Sequence, residues 1–248
     1  MRNGGRYVAK VNSKSLIEDF SKLQLVELDA CVGCGECLKW CPIQDVTKDS
    51  SISAPEKIRM FRSFVRGMHG IRAKLFGPKE IDEESLKKFQ DALYTCTTCG
   101  NCSEVCEVGI HTQRLWWSFR KKLVDLGYKP PGNIPDLLKF AKEKRNIYNQ
   151  MPDEKYNIWL PKDIKLAEKA EVAYFDGCGV ANNAAPMAEG AVRIISACGT
   201  DFTMLNAKDS WCCGYPLTVT GQWEIEEELV RHNVEKFVEK GVQQIIVS

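Results

Sequence analysis

The sequence predicts a mixed α+β protein, with an α-helical N-terminal domain built around two cysteine-rich loops and then an α/β domain on a parallel sheet. Three observations lead there. Eight of the twelve cysteines fall in two copies of one spacing. The stretch Tyr128-Lys-Pro-Pro-Gly-Asn-Ile-Pro135 cannot continue a helix and reads as a linker. Beyond about residue 170 the apolar period changes from helical to strand-like. The chain divides on this reading into a helical domain over 13–130, a linker with a basic helix over 131–170, and an α/β domain over 171–248.

The repeated motif is Cys31-Val-Gly-Cys-Gly-Glu-Cys-Leu-Lys-Trp-Cys-Pro42, echoed by Cys96-Thr-Thr-Cys-Gly-Asn-Cys-Ser-Glu-Val-Cys106. Both read C-x2-C-x2-C-x3-C, the spacing of a bacterial ferredoxin cluster site. A cubane 4Fe-4S cluster takes four thiolates, and a tight loop with a cysteine every third residue supplies three. Gly33, Gly35 and Gly100 let the backbone turn sharply there. The fourth cysteine of such a motif serves the other cluster. The expected ligand sets are therefore Cys31, Cys34, Cys37 and Cys106 for one cluster, and Cys96, Cys99, Cys102 and Cys41 for the other. A structural zinc site would use separated C-x2-C pairs and leave a surplus cysteine in each motif. Disulfides need an oxidising compartment, and no secretory signal is read at the N-terminus. Glu107 stands where the second motif would carry its proline, which removes no ligand.

Composition narrows the function classes. Charged residues make up 27% and the net charge is +1, so no broad attraction to nucleic acid is expected. No apolar run approaches a membrane span. The expected location is the cytoplasm, peripheral to a membrane's inner face only through a partner subunit.

Taken in order, Met1–Asn12 reads as a loose arm and Ser13 as the cap of a helix running to about Asp29. Ala54-Pro55-Glu56 opens the next helix, with proline in its first turn. Over 57–76 a basic set (Lys57, Arg59, Arg62, Arg66, Arg72, Lys74) alternates with an apolar one, and Gly67 and Gly70 suggest a break. A solvated helix with its apolar face on the core is favoured there over a membrane or acidic-partner surface. A helix from about Ile81 to Leu93 leads into Cys96. Another follows Cys106, with Leu115, Trp116, Phe119 and Leu123 near one face and Arg114, Arg120, Lys121 and Lys122 expected in solvent. A basic helix opens at Pro135 and runs to about Tyr148. Strands are expected at Glu171–Phe175, Asp201–Leu205 and Val242–Val247, alternating with helices at Asn182–Ala197 and Gln222–Lys240. His69, His111 and His232 show no partner pattern and read as ordinary histidines.

A second constellation follows the first two strands. Cys178 sits just past the end of one, and Trp211-Cys-Cys-Gly-Tyr-Pro216 lies after the next. Adjacent thiols at Cys212 and Cys213 can meet two different irons, and Gly214 lets backbone crowd a cluster. Cys198 has no spacing pattern and reads as a free thiol.

Phe175-Asp-Gly-Cys178 followed by Cys212-Cys-Gly-Tyr-Pro216 resembles the first half of a CCG (cysteine-rich) domain. Together with Glu27-Leu-Asp-Ala-Cys31, Glu36-Cys-Leu-Lys-Trp-Cys-Pro42 and Thr95-Cys-Thr-Thr-Cys-Gly-Asn-Cys102, the chain resembles the D subunit of heterodisulfide reductase from about Leu16 to Ser248. The resemblance implies a two-cluster ferredoxin-type domain fused to a CCG domain. Electrons would pass through two 4Fe-4S clusters to a noncubane 4Fe-4S cluster at Cys178, Cys212 and Cys213, the catalytic thiols, which reduces the mixed disulfide of coenzyme M and coenzyme B in methanogenesis. A cluster can hold a thiolate after the first electron, which avoids a free radical.

The chain also departs from that pattern. The family's next cysteine pair would begin immediately after Ser248, and the second CCG domain is absent from the sequence. A truncated chain, a split gene whose other product supplies the rest, and a selenocysteine codon read as stop are all open. The implied partners are a b-type cytochrome membrane subunit or a flavoprotein subunit, a chain completing the CCG domains, and the disulfide substrate. The alternative is an electron-transfer subunit of a flavin-dependent glycolate, lactate or glycerol-3-phosphate dehydrogenase, which shares the layout.

Overall fold

The computed structural model describes residues 16–148 and 158–248. The arm at Met1–Asn12, the cap at Ser13 and the stretch 151–157 lie outside the described residues. The chain forms two compact units. One takes the residues up to Gly132 with Val219–Gly221, and the other takes Asn133–Thr218 and Gln222–Ser248.

In the first unit, α1 (Lys22–Ala30) is set by Ser21, whose hydroxyl accepts from the Gln24 amide at 3.2 Å. The Gln24 side chain accepts from the Ser21 amide at 2.9 Å, closing a capping box. That reciprocal pair places the helix start later than expected, and the residues from Leu16 to Ser21 are turn. After α2 (Pro42–Thr47), Pro55 opens α3 (Ala54–His69) as its fixed φ allows. α3 runs through Gly67 and stops at Gly70, and α4 (Ile71–Phe76) follows. α5 (Glu83–Thr95) is capped by Asp82, which accepts from the Ser85 amide at 2.8 Å. α6 (Asn101–Glu104) and α7 (Thr112–Asp125) complete the unit.

The core of this unit is aromatic. Phe61 and Phe119 lie 4.3 Å apart between ring centres, and Phe20 and Phe89 close on them at 5.3–6.0 Å. The apolar face of α3 (Ile58, Phe61, Phe64, Met68) is buried against these rings. Three cations expected in solvent are instead buried: Lys57, Arg120 and Lys122. Each found a partner that offsets desolvation. Lys122 pairs with Asp19, Arg120 binds backbone carbonyls, and Lys57 lies over the Trp116 ring.

In the second unit, α8 (Ile134–Lys144) ends at Arg145, which adopts φ +54°. β1 (Val172–Phe175) is the central strand of a three-stranded parallel sheet in the order β2–β1–β3. The expected helix after β1 is split into α9 (Gly177–Asn183) and α10 (Ala185–Ala197), because Pro186 can open a helix but not continue one. β2 (Phe202–Thr203) is shorter than expected. An unforeseen helix, α11 (Tyr215–Thr220), follows the doubled cysteine, and α12 (Glu226–Glu239) leads to β3 (Gln244–Val247). Val172 pairs with both Phe202 and Gln244. Parallel pairing of this kind buries β1 and places Cys178 and the doubled cysteine beyond strand ends, where open α/β sheets bind ligands. Among the described residues no helix is long and apolar enough to cross a membrane.

Candidate metal centres

Both cysteine loops in the first unit are built the same way. α1 ends at Ala30 with Cys31 as its cap, and α5 ends at Thr95 with Cys96 as its cap. Gly35 and Gly100, at matching places, take φ +82° and +87° and start the next helical turn. Thr98 stands where the first loop has Gly33, and it too adopts positive φ, at +54°. A β-branched residue is strained there. It is held by the Gln113 side chain, which donates to the Thr98 carbonyl at 2.5 Å.

Two cavities gather the eight thiols. The first, about 240 Å³, is lined by Cys31, Cys34, Cys37, Cys102 and Cys106. The second is tighter and is lined by Cys37, Cys41, Cys96, Cys99 and Cys102, so that Cys37 and Cys102 border both. The fourth cysteine of each motif thus lies with the first three of the other. Cys41 caps α2, its sulfur accepting from the Gln44 amide at 3.5 Å. Asn101 donates to the Trp40 carbonyl at 3.1 Å and ties the two loops together.

Donors and acceptors orient the thiols. Thr112 Oγ1 lies 2.9 Å from Cys102 Sγ and 2.8 Å from Ser103 Oγ. Arg62 donates to the Cys31 carbonyl at 2.8 Å, and Arg120 to the Cys96 carbonyl at 2.6 Å. Burial pushes the Cys37 thiol up to about 12, with neighbouring thiols adding to it. Burial also raises Cys102, opposed by the Thr112 hydrogen bond and the nearby Lys57 charge. Metal uptake here therefore releases protons. Among the described residues no three Cys, His, Asp or Glu side chains converge tightly enough for one metal ion.

The second unit brings Cys178, Cys212 and Cys213 together. Cys178 and Cys212 are buried, Cys213 is exposed, and Cys198 lies apart and exposed at the end of α10. Their hydrogen bonds form a chain. Cys212 is pushed up to about 12 chiefly by its bond to Cys178, and the same bond lowers Cys178 against burial. Cys213 is raised, chiefly by its bond to Cys212. Gly214 turns the backbone at φ +81° and its amide donates to Cys212 Sγ at 3.5 Å. Asp176, next to the strand end, is pushed up to about 7 by burial.

Residues no motif announced hold this site in place. Asn233 of α12 accepts from the Trp211 amide at 2.9 Å and donates to the Trp211 and Cys212 carbonyls at 3.1 and 3.3 Å. The Cys212 amide donates to the Arg145 carbonyl at 2.9 Å. His232, read as an ordinary histidine, stacks on Trp211 with ring centres 3.5 Å apart. Nothing in the local sequence marks these residues, because their partners are distant in the chain. Thr98 alone left a signal, since it replaces a glycine of the sister loop.

The 4Fe-4S dicluster domain family matches residues 27–110, and the cysteine-rich domain family matches residues 172–248. The chain is 40% identical over 235 residues to the D subunit of the dihydromethanophenazine:CoB–CoM heterodisulfide reductase of Methanosarcina mazei, covering 93% of this chain and 57% of that protein. It is 39% identical to the same subunit of Methanosarcina barkeri, with the same coverage of both chains. An uncharacterised iron–sulfur protein of Methanococcus maripaludis is 29% identical over 97% of this chain and 47% of its own length. The chain therefore spans a little over half the length of the two Methanosarcina relatives. No solved structure matches it. Two domain families stand in tandem here, a two-cluster 4Fe-4S domain and a cysteine-rich domain, and the likeness to the Methanosarcina proteins runs over nearly the whole chain.

Proposed function

We propose that this chain, an iron–sulfur protein of the heterodisulfide reductase D type, carries electrons through two 4Fe-4S clusters toward a disulfide. Cys31, Cys34, Cys37 and Cys106 would hold one cluster, and Cys41, Cys96, Cys99 and Cys102 the other. Cys178, Cys212 and Cys213 would be three thiolates of a noncubane 4Fe-4S centre, its other ligands coming from further sequence or a partner chain. The observation that carries the reading is the interleaving: each cavity gathers the first three thiols of one motif with the fourth cysteine of the other, and Cys37 and Cys102 border both.

The clusters supply one-electron steps, and the protein's residues do the positioning. Asn233 and the Arg145 carbonyl hold Cys212 so that its sulfur faces Cys178. Gly214 keeps the backbone tight against the doubled thiols. Two electrons and two protons convert a disulfide into two thiols, and the mixed disulfide of coenzyme M and coenzyme B is the proposed substrate. A b-type cytochrome or a flavoprotein subunit would supply the electrons, with the assembly soluble or peripheral to a membrane.

The test uses the complex purified anaerobically with whatever polypeptides accompany this chain. The complex, reduced with dithionite and freed of excess, is mixed with the CoM–CoB disulfide. Bleached iron–sulfur absorbance should return as two thiols appear per two electrons. Cys212→Ala and Cys213→Ala should keep both 4Fe-4S signals and lose this re-oxidation. Equal re-oxidation in those variants would overturn the catalytic assignment and favour a pure electron-relay role.

A further inference from the structure

The two cysteine cavities of the first unit differ in charge. Lys57 lines the cavity of Cys41, Cys96, Cys99 and Cys102 and does not line the other. It is only 2% exposed, and its Nζ lies 4.3 Å from the centre of the Trp116 ring. The ring stabilises an ammonium without neutralising it. No carboxylate among the described residues pairs with it. Arg120 is a second buried cation on this side, its guanidinium bound to the neutral carbonyls of Leu93 and Cys96 at 2.6 Å.

The cavity of Cys31, Cys34, Cys37 and Cys106 is lined by Glu107 and by Glu36, which pairs with Lys39 at 2.9 Å, and by no cation. Arg62 reaches the Cys31 carbonyl from outside, but it pairs with Asp29 at 3.0 Å, which offsets its charge.

We propose that Lys57 sets the reduction potential of the cluster held by Cys41, Cys96, Cys99 and Cys102, making that cluster the electron acceptor of the pair. The inference rests on the ligand sets proposed above. Reduction adds one electron, drawn from the other cluster or, in the test, from dithionite. No bond forms or breaks and no proton moves, so the charge of the site falls by one unit. A buried cation favours the more negative state, because little water or salt screens it. Cluster potentials respond to this kind of local charge.

The experiment is an anaerobic redox titration of the holoprotein followed by electron paramagnetic resonance. The unmodified protein should show two midpoint potentials, and the higher should belong to the signal that Cys99→Ala removes. Lys57→Gln should lower that potential by at least tenfold in the reduction equilibrium, 59 mV for one electron, and move the other far less. Lys57→Arg should stay near the unmodified value. Equal shifts in both clusters, or none, overturn the proposal. If Lys57→Gln fails to assemble, a lower potential for the Cys99-dependent signal in the unmodified protein overturns it alone. Absence of two separate cluster signals instead overturns the ligand sets themselves.

Discussion

Asn233 offers the sharpest test of how the second thiol site is held. It is buried, and its amide serves three backbone groups of the Trp211–Cys212 segment. Asn233→Ala leaves one amide and two carbonyls without their partner. Two of the three bonds, at 2.9 and 3.1 Å, have good geometry, while the third, at 3.3 Å, is weaker. A buried polar group left unmade costs about 1–3 kcal/mol, so the expected loss is about 2–4 kcal/mol. Asn233→Asp is the informative companion. It keeps the acceptor for the Trp211 amide but turns the donor end into an oxygen facing two carbonyls, so it should destabilise at least as much. Urea unfolding of the anaerobic protein measures the stability, and hydrogen exchange at the Trp211 amide measures the local effect. That amide should exchange at least about tenfold faster in Asn233→Ala, the equivalent of about 1.4 kcal/mol. In Asn233→Asp it should stay protected relative to the alanine variant. A loss under about 0.5 kcal/mol for Asn233→Ala, below the range for an unmade buried bond, or an Asp variant as stable as the unmodified protein, would falsify the claim that this side chain clamps the doubled cysteine.

Other expectations follow from the same structure. Cys106→Ala and Cys37→Ala should abolish the same electron paramagnetic resonance signal, and Cys41→Ala and Cys99→Ala the other; iron content in each should fall by about four atoms per chain, one cubane's worth. Loss of one signal by Cys37→Ala and of the other by Cys106→Ala would dismantle the interleaved sets. Phe61→Ala removes the ring at the centre of the aromatic core and should cost about 3–5 kcal/mol in urea unfolding. A cost near about 1 kcal/mol would show that the core collapses to fill the space. Gly214→Ala meets φ +81° and puts a methyl 2.9 Å from Glu226 Cγ. It should destabilise by about 1–2 kcal/mol from the backbone alone, and Glu226→Ala in the same chain should recover only the steric part. Full recovery would mean that the positive φ is not what requires glycine there.

The local features of this protein could be read from the order of its residues. Cysteine spacing announced two cluster loops, because thiolates wrapped by one short loop must recur at short fixed intervals. That Cys41 and Cys106 each lie beside the other motif's thiols was legible from the ferredoxin spacing, whose fourth cysteine serves the other cluster. The strand–helix alternation after residue 170 was legible because apolar period reflects which face is buried. Boundaries were less legible. Ser21 and Gln24 form a box that moved the first helix start, and Pro186 divided a helix that apolar spacing alone would run straight through.

Which charges are buried, and what holds the second thiol site, emerge only in the folded chain. Lys57, Arg120 and Lys122 look like surface cations in sequence, since their type favours solvent. Each is buried because a distant group offsets its desolvation: an indole face, backbone carbonyls at Leu93 and Cys96, and the Asp19 carboxylate. Asn233 and Arg145 were equally invisible, 21 residues after Cys212 in one case and well before it in the other. Local pattern reports how a residue relates to its own element. Compensation for a buried charge or a bent backbone comes from elsewhere in the chain, and only the folded arrangement shows it.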